Sequence, residues 1–399
     1  RKYFMIKTLS QSNISGTISA IASKSAAHRL YIAAALAKRS TDIVCATTSK
    51  DIEATRKCLD ALLNGGEVLP CGESGSTLRF LLPVAAALGK TVTFFMEGRL
   101  PKRPLAPLDA ELTAHGVTLS RPEPHLLKVS GKLQSGDYVL PGDVSSQYIS
   151  GLLFALPLLD GPSKLTVTGK IESAPYIDMT LDALNRFGIE IATAAKPPRN
   201  DIQYTIAPQT YTSPGRVIVE GDWSNAAFWL CAGALSGPVT VTGLDHSSLQ
   251  GDKAIIDILR RFGATVTGDT VAAGKLCAID LDAAEIPDLV PVVAIVAAAA
   301  EGVTTIYNAG RLRLKESDRI RTVCDMINAL GGRAEETEDG LKIYGGGLTG
   351  GTVDSVNDHR IAMAAAVASA VCPVTILGAE AVEKSYPGFW EDLNKMQNQ

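Results

Sequence analysis

A passage of polar residues, an Ala/Leu-rich stretch and a β-branched run, with a glycine before that run in four copies, recurs six times along this chain. One copy reads Gly142-Asp143-Val144-Ser145-Ser146-Gln147, an apolar stretch to Leu159, Gly161, and then Leu165-Thr166-Val167-Thr168-Gly169. Another reads Gly221-Asp222-Trp223-Ser224-Asn225, Ala226 to Leu235, Gly237, and Val239-Thr240-Val241-Thr242-Gly243. The outline returns at Ser23 to Val44, Ser74 to Gly98, Ile286 to Gly310 and Asn357 to Gly378. Polar residues that open a helix, a glycine that stops it and a β-branched run spell helix followed by strand. Each unit then continues into an amphipathic helix, as at Ile177 to Gly188, Lys253 to Gly263 and Ser317 to Gly331. Strands are expected close behind, at Ile189-Glu190-Ile191 and Ala264-Thr265-Val266. Two-layer α/β chains can look loosely repetitive, but here the order of polar start, apolar stretch and β-branched run recurs in all six copies. A period of roughly 50 to 80 residues exceeds that of common solenoids. The first helix of each copy is too apolar for a surface, so buried Ala-rich helices wrapped by sheets are expected.

The repeat bears on function through its helix starts. A helix N-terminus carries unsatisfied N–H groups and the positive end of the macrodipole, so it favours anions. Several such ends can hold a multiply anionic ligand even on a chain whose net charge is −4. That charge argues against a nucleic-acid partner, which needs a concentrated positive field. At 399 residues the chain is too long for one ordinary core, and two domains are expected. The seven cysteines are scattered, odd in number and without a C-x-x-C pair, which suits a reducing cytosol and offers no zinc signature. Arg1-Lys2-Tyr3-Phe4-Met5 leads straight into alternating sequence with no signal-peptide core. The longest apolar run, Leu289 to Ala300, includes Pro291 and falls short of the ~20 residues that span a bilayer. A cytoplasmic protein with no membrane partner is expected.

Four segments carry chemistry on their own terms. In Ser23-Lys24-Ser25-Ala26-Ala27-His28-Arg29, two cations flank a hydroxyl that could cap a helix or bind phosphate, and simple capping is the favoured reading of the segment alone. In Gly72-Glu73-Ser74-Gly75-Ser76-Thr77-Leu78-Arg79, Gly75 permits close backbone approach to an anion, though a bare turn explains it equally well. Arg311-Leu312-Arg313-Leu314-Lys315-Glu316-Ser317-Asp318-Arg319 surrounds Glu316 with cations that would hold it ionised, or else forms a solvated capping box. Asn357-Asp358-His359-Arg360 places an arginine at a buried helix start, which is costly unless it faces an anion or a carboxylate. Arg103 in Pro101-Lys102-Arg103-Pro104 and Asp288 before the most apolar helix also look sited. For Asp288 a plain N-cap is the commoner case.

Together these segments resemble the EPSP synthase family over nearly the whole chain. The resemblance rests on Ser23-Lys24-Ser25…Arg29, Gly75…Arg79, Arg103-Pro104, Ser145-Ser146-Gln147, Ser173…Tyr176, Asp288, Lys315-Glu316-Ser317-Asp318-Arg319, Asp358-His359-Arg360 and Lys384…Pro387, all in order. It implies an α/β fold of two similar domains, each of three βαβαββ units with buried helices, an inside-out α/β barrel known as the enolpyruvyl transferase fold. One domain would combine residues 1–22 with 221–399, carrying the acid/base carboxylates and the phosphoenolpyruvate clamp. The inserted domain, 23–220, would carry the shikimate 3-phosphate site, with a cleft between the domains closing on substrate.

The resemblance implies residue roles too. Lys24, Ser25, Arg29, Ser145, Ser146, Gln147, Ser173, Tyr176, Asp288 and Lys315 match the shikimate 3-phosphate set. Lys24, Gly75, Arg103, Gln147, Arg319, Arg360 and Lys384 match the phosphoenolpyruvate set. Asp288 and Glu316 are the implied acid/base pair, with Lys24 a further proton donor. No metal or organic cofactor is implied, and a monomer that stands alone is expected. Glyphosate is expected to compete with phosphoenolpyruvate, because a methyl group at Gly75 would intrude on the pocket. The chain departs from the common pattern N-A-G-T-A-M-R-P at Glu73-Ser74-Gly75-Ser76-Thr77-Leu78-Arg79-Phe80, is short between Leu63 and Gly72, and has Arg311 where many members carry asparagine. A UDP-N-acetylglucosamine enolpyruvyl transferase would share the fold and the donor, but its reactive cysteine is missing from Glu97 to Pro104. A non-catalytic binding protein on the same scaffold would have lost a carboxylate or a clamp arginine, and none is missing.

Overall fold

The computed structural model describes residues 5–196 and 200–398, so Arg1 to Phe4 of the signal-peptide reading lie outside the described residues. Among the described residues twelve α-helices follow one another as α1 Lys24–Leu36, α2 Lys50–Leu63, α3 Gly75–Ala87, α4 Leu108–Ala114, α5 Ser146–Ala155 and α6 Ala174–Arg186, then α7 Trp223–Leu235, α8 Ile255–Phe262, α9 Val290–Ala299, α10 Arg319–Ala329, α11 His359–Val367 and α12 Phe389–Gln397. The odd-numbered helices are the six Ala-rich passages of the repeat. From α3 to α11 they are buried almost all round, while α1 keeps one partly exposed face. Even-numbered helices bury one stripe only, as the 3.6-residue spacing requires. No helix among the described residues is long and apolar enough to cross a membrane.

Four repeats are complete βαβαββ units, each with a four-stranded sheet of one pattern. In one, Val68–Gly72 runs parallel to Val92–Met96, which pairs antiparallel with Leu126–Gly131, and Val117–Ser120 closes the edge. The same order holds for Asp137–Pro141, Ser163–Thr168, Asp201–Ile206 and Ala192–Lys196. It holds again for Asp280–Asp282, Val303–Tyr307, Leu341–Tyr344 and Arg333–Glu336. In the fourth, Gly16–Ser19 supplies the first strand beside Val239–Thr242. Two sheets are shorter: Arg216–Ile218 pairs with Asp42–Val44 alone, and Ile6–Leu9 completes the sheet of Val374–Leu377 and Gly351–Asp354. After α2 the chain passes directly to Val68–Gly72 without a hairpin, which accounts for the short stretch after Leu63.

The expected strand at Ile189-Glu190-Ile191 is not there; the strand begins at Ala192. The Ile189 amide donates to Leu184 O as α6 closes over Gly188, and the Glu190 amide donates to Gln209 Oε1. Helix closure and a side chain have taken the hydrogen bonds a ladder would need.

Contacts divide the chain into two compact units, Arg1–Ser23 with Glu220–Gln399, and Lys24–Val219. In the first, α7, α9 and α11 pack on one another and carry much of its apolar core. In the second, α3 lies against α5 closely enough that a Cβ at Gly151 would overlap the Arg79 carbonyl. That close approach sets the first turns of α3 and α5 side by side.

Candidate active site

In the Lys24–Val219 unit, the candidates gather at the starts of α1, α3, α5 and α6. Lys24 opens α1, and its Nζ lies 2.8 Å from Asp51 Oδ2 in the first turn of α2. Arg29, one turn on and 3% exposed, donates from Nε to Thr180 Oγ1, from Nη1 to the Ser25 carbonyl and from Nη2 to the Tyr176 carbonyl, each at 2.8 Å. Its guanidinium also faces the Phe80 and Tyr176 rings, at 5.1 and 5.9 Å. Burial without a carboxylate partner pulls its pKa down to about 10. Arg29 therefore ties α1 to α6 and holds Ser25 and Tyr176 together. Ser173, at the start of α6, is buried with φ 55°, a left-handed conformation uncommon for serine and of the kind that collects at functional sites.

Gly75 begins α3 behind its cap, Ser74, whose Oγ accepts the Thr77 amide. A Cβ on Gly75 would sit 2.6 Å from Arg103 Nη1 and 2.8 Å from Arg79 Nη1. Two guanidinium groups thus converge on one helix N-terminus, an arrangement suited to an anion. Ser145 caps α5 by accepting the Gln147 amide at 3.3 Å, and Ser146 is the first helical residue. The Gln147 side chain is fixed at both ends: Arg79 Nη1 donates to its Oε1 at 2.7 Å, and its Nε2 donates to Ser76 Oγ at 2.9 Å.

In the other unit, Arg319 is the hub. It is 1% exposed and makes four hydrogen bonds to three carboxylates. Nε and Nη2 reach Asp358 at 2.8 and 3.1 Å, Nη1 reaches Asp288 at 2.8 Å, and Nη2 reaches Glu316 at 2.7 Å. That uses four of the hydrogen-bonding positions of a fork with five N–H donors. Asp288 also meets Arg360 Nη2 at 3.2 Å and Lys315 Nζ at 3.6 Å. Burial opposes its ionisation, but Arg360, Lys315 and Arg319 together hold its carboxyl well below the usual range. Burial likewise works against the charge on Arg319, and Asp358, Glu316 and Asp288 outweigh it and raise its pKa. Lys315 is pushed down, chiefly by burial.

These contacts settle two open readings. Asp288 is no N-cap: it lies in the short turn Pro287–Leu289, and α9 has no side-chain cap. Glu316 is not part of a capping box, because Asp318 caps α10 through the Arg321 amide. Lys384 donates to the Asn357 carbonyl at 2.6 Å, in a loop where Val356 and Asn357 have φ of 46° and 61°. That loop delivers Asp358, the cap of α11, and Arg360 to the cluster.

Sequence reasoning passed over Asp51, Arg79, Asp252 and Asp358 as site residues. Arg79 had a signal, one helical turn after Gly75, and Asp358 had one as a cap beside Arg360. Asp51 and Asp252 had none. Asp252 is 2% exposed, takes a hydrogen bond from Ser224 Oγ, and is raised to about 7 by burial and by the neighbouring Asp288.

The model of the EPSP synthase (3-phosphoshikimate 1-carboxyvinyltransferase) family matches residues 9–67 and 62–393. A 3-phosphoshikimate 1-carboxyvinyltransferase from Clostridium acetobutylicum is 41% identical over 414 residues, covering 96% of this chain and 95% of the relative. Its counterpart from Brachyspira hyodysenteriae is 40% identical over 420 residues, covering 98% and 99%. Among solved structures, an EPSP synthase from Acinetobacter baumannii superposes with TM-score 0.79 at 26% identity over 98% of each chain. The enolpyruvyl transferase NikO from Streptomyces tendae shares the fold, with TM-score 0.75 at 18% identity over 98% of this chain and 97% of its own. With its repeats, its clustered carboxylates and arginines and these relatives, the chain belongs to the EPSP synthase family.

Proposed function

We propose that the two charged sets carry the family's reaction, transfer of the enolpyruvyl group from phosphoenolpyruvate to the 5-hydroxyl of shikimate 3-phosphate. The products are 5-enolpyruvylshikimate 3-phosphate and phosphate, a step of the shikimate pathway toward chorismate and the aromatic amino acids. The observation that supports the residue roles is the hub: Asp288 and Glu316, the acid/base candidates, hang on one buried guanidinium at 2.8 and 2.7 Å.

Asp288 takes the proton of the 5-hydroxyl as the oxygen attacks C2 of phosphoenolpyruvate. The methylene carbon gains a proton from Glu316, Lys24 or Lys384, giving a tetrahedral ketal phosphate. Phosphate then leaves with the proton taken from the 5-hydroxyl, the new methyl group returns its added proton to the donor, and the enol ether forms. A carboxylate held as far down as Asp288 is a weak base. Substrate anions that engage Arg360 and Lys315 withdraw two of its three cations, and its pKa rises toward the range catalysis needs. Arg103, Arg360 and Lys384 bind the carboxylate and phosphate of phosphoenolpyruvate against Gly75, and cations beside the departing phosphate stabilise its charge. Lys24, Ser25, Ser145, Ser146, Gln147, Ser173, Tyr176 and Lys315 bind shikimate 3-phosphate, with Arg29 bracing Ser25 and Tyr176. Arg319 serves chiefly through the carboxylates it orients.

We infer a monomer in the cytoplasm from the family resemblance; sedimentation and fractionation test both. The central test is phosphate release with phosphoenolpyruvate plus shikimate 3-phosphate, with UDP-N-acetylglucosamine as the parallel acceptor. Release with shikimate 3-phosphate alone, lost in Asp288→Ala and Glu316→Gln, is expected. Full activity in either variant would remove that residue from the mechanism.

A further inference from the structure

The reading above leaves a line of buried polar groups in the Lys24–Val219 unit without a task. His28 of α1, Thr55 of α2, Thr77 of α3 and Ser74, the cap of α3, are all buried to within 1%. His28 Nδ1 lies 2.7 Å from Thr55 Oγ1, Thr55 Oγ1 lies 2.7 Å from Thr77 Oγ1, and Thr77 Oγ1 donates to Ser74 Oγ at 2.7 Å.

Hydrogen bookkeeping fixes the direction of this line. Each hydroxyl has one hydrogen to give. Thr77 gives its hydrogen to Ser74, so it accepts from Thr55, and Thr55 in turn accepts from His28 Nδ1–H. The ring is thereby the Nδ1–H tautomer, and its Nε2 is buried with no hydrogen-bond partner among the described residues. Burial, then Lys24 and Arg29, keep the imidazole neutral, and Phe80 packs edge-on against it with centroids 6.5 Å apart.

Apolar side chains of the same shape would pack these three helices together as well, since a hydrogen bond adds little net stability to a core. What they would not do is fix register, because dispersion and hydrophobic contact have no preferred direction. The line joins α1, α2 and α3 near the ends that bear Lys24 and Ser25, Asp51, and Gly75. It finishes on the cap that sets the first turn of α3, where Arg79 and Arg103 crowd Gly75.

We propose that His28, Thr55, Thr77 and Ser74 are positioning residues for phosphoenolpyruvate, fixing the Gly75 turn of α3 relative to α1. The proposal rests on the reading that Gly75 and Arg103 receive that substrate. Misplacing a positioned group by about 1 Å can cost about a hundredfold in rate, so a small slip of the turn is enough to register.

The test is steady-state kinetics on the full chain, with each substrate varied separately, for Thr77→Val, Thr55→Val and Thr77→Ser. Valine keeps the shape and removes the bonds, whereas serine keeps the hydroxyl. Thr77→Val and Thr55→Val are expected to raise KM for phosphoenolpyruvate about tenfold, while KM for shikimate 3-phosphate stays within about twofold and Thr77→Ser stays near wild type. Equal rises in both KM values, no change in either, or a fall in kcat alone would overturn the proposal. Failure of both valine variants to fold would assign the line to stability and overturn it as well. Gly75→Ala separates the two layers of inference. If it leaves KM for phosphoenolpyruvate unchanged, the assignment of Gly75 itself fails; if it raises KM while the valine variants do not, only the positioning line fails.

Discussion

Arg29 and Arg319 are the same residue, buried to the same degree, and their surroundings drive them in opposite directions. Arg29 spends its hydrogen bonds on a hydroxyl and two carbonyls, and burial alone lowers it to about 10. Arg319 sits among three carboxylates, and its charge is reinforced. Burial does not by itself decide what a guanidinium does; the charge of its partners does. One unit therefore keeps a cation answered only by neutral dipoles. The other is electrically closed, its carboxylates answering the cations among them.

The comparison can be broken most directly by removing each arginine. Arg319→Met leaves the buried Asp358 carboxylate without its guanidinium partner, and a loss of about 3–5 kcal/mol is expected in urea unfolding. Arg29→Met orphans only neutral groups, and about 1–3 kcal/mol is expected. Equal losses would erase the contrast.

The closed character of the carboxylate cluster can be sharpened by pH. Asp252 titrates near 7 in the folded state, against an ordinary value of 3.8. Between those values the folded chain holds a proton that the unfolded chain has released, so this group makes stability fall as pH rises, by at most about 1.4 kcal/mol per pH unit. Asp252→Asn removes that slope. Relative to wild type, the variant is expected to be more stable at pH 8 than at pH 4 by thermal melts. A difference independent of pH would mean Asp252 is ionised throughout.

On the cationic side, Gly75→Ala places a methyl against Arg103 and Arg79, and KM for phosphoenolpyruvate is expected to rise about tenfold or more. Inhibition by glyphosate, expected to compete with phosphoenolpyruvate in the wild type, should weaken alongside. The smallest effect is expected at Ser145, where alanine removes the cap on Gln147 N–H and costs about 1 kcal/mol in unfolding of the ligand-free protein.

Much of this molecule could be read locally. The six repeats, their buried helices and the strands that follow them can be read from apolar spacing, polar residues at helix starts and glycines that end helices. Reading failed at Ile189-Glu190-Ile191, where a β-branched run lost its amides to α6 and Gln209. At Asp288 the segment alone allowed a plain N-cap or a sited carboxylate, and the side chain pairs with Arg319 and Arg360. The candidate charges were named as residue types in motifs, without the ion-pair partners the fold gives them.

The sequence by itself determined where helices and strands lie and which of them are buried, because periodicity, capping and glycine act over a few neighbouring residues. Only the tertiary structure decided that Arg319 would gather three carboxylates, that Arg29 would find none, that Asp252 would keep its proton to about 7, and that His28 would begin a line ending at Ser74. Those outcomes depend on side chains as far as 151 positions apart meeting where water is excluded. Distance and dielectric, which set the strength of a charge pair, are properties of the folded chain alone.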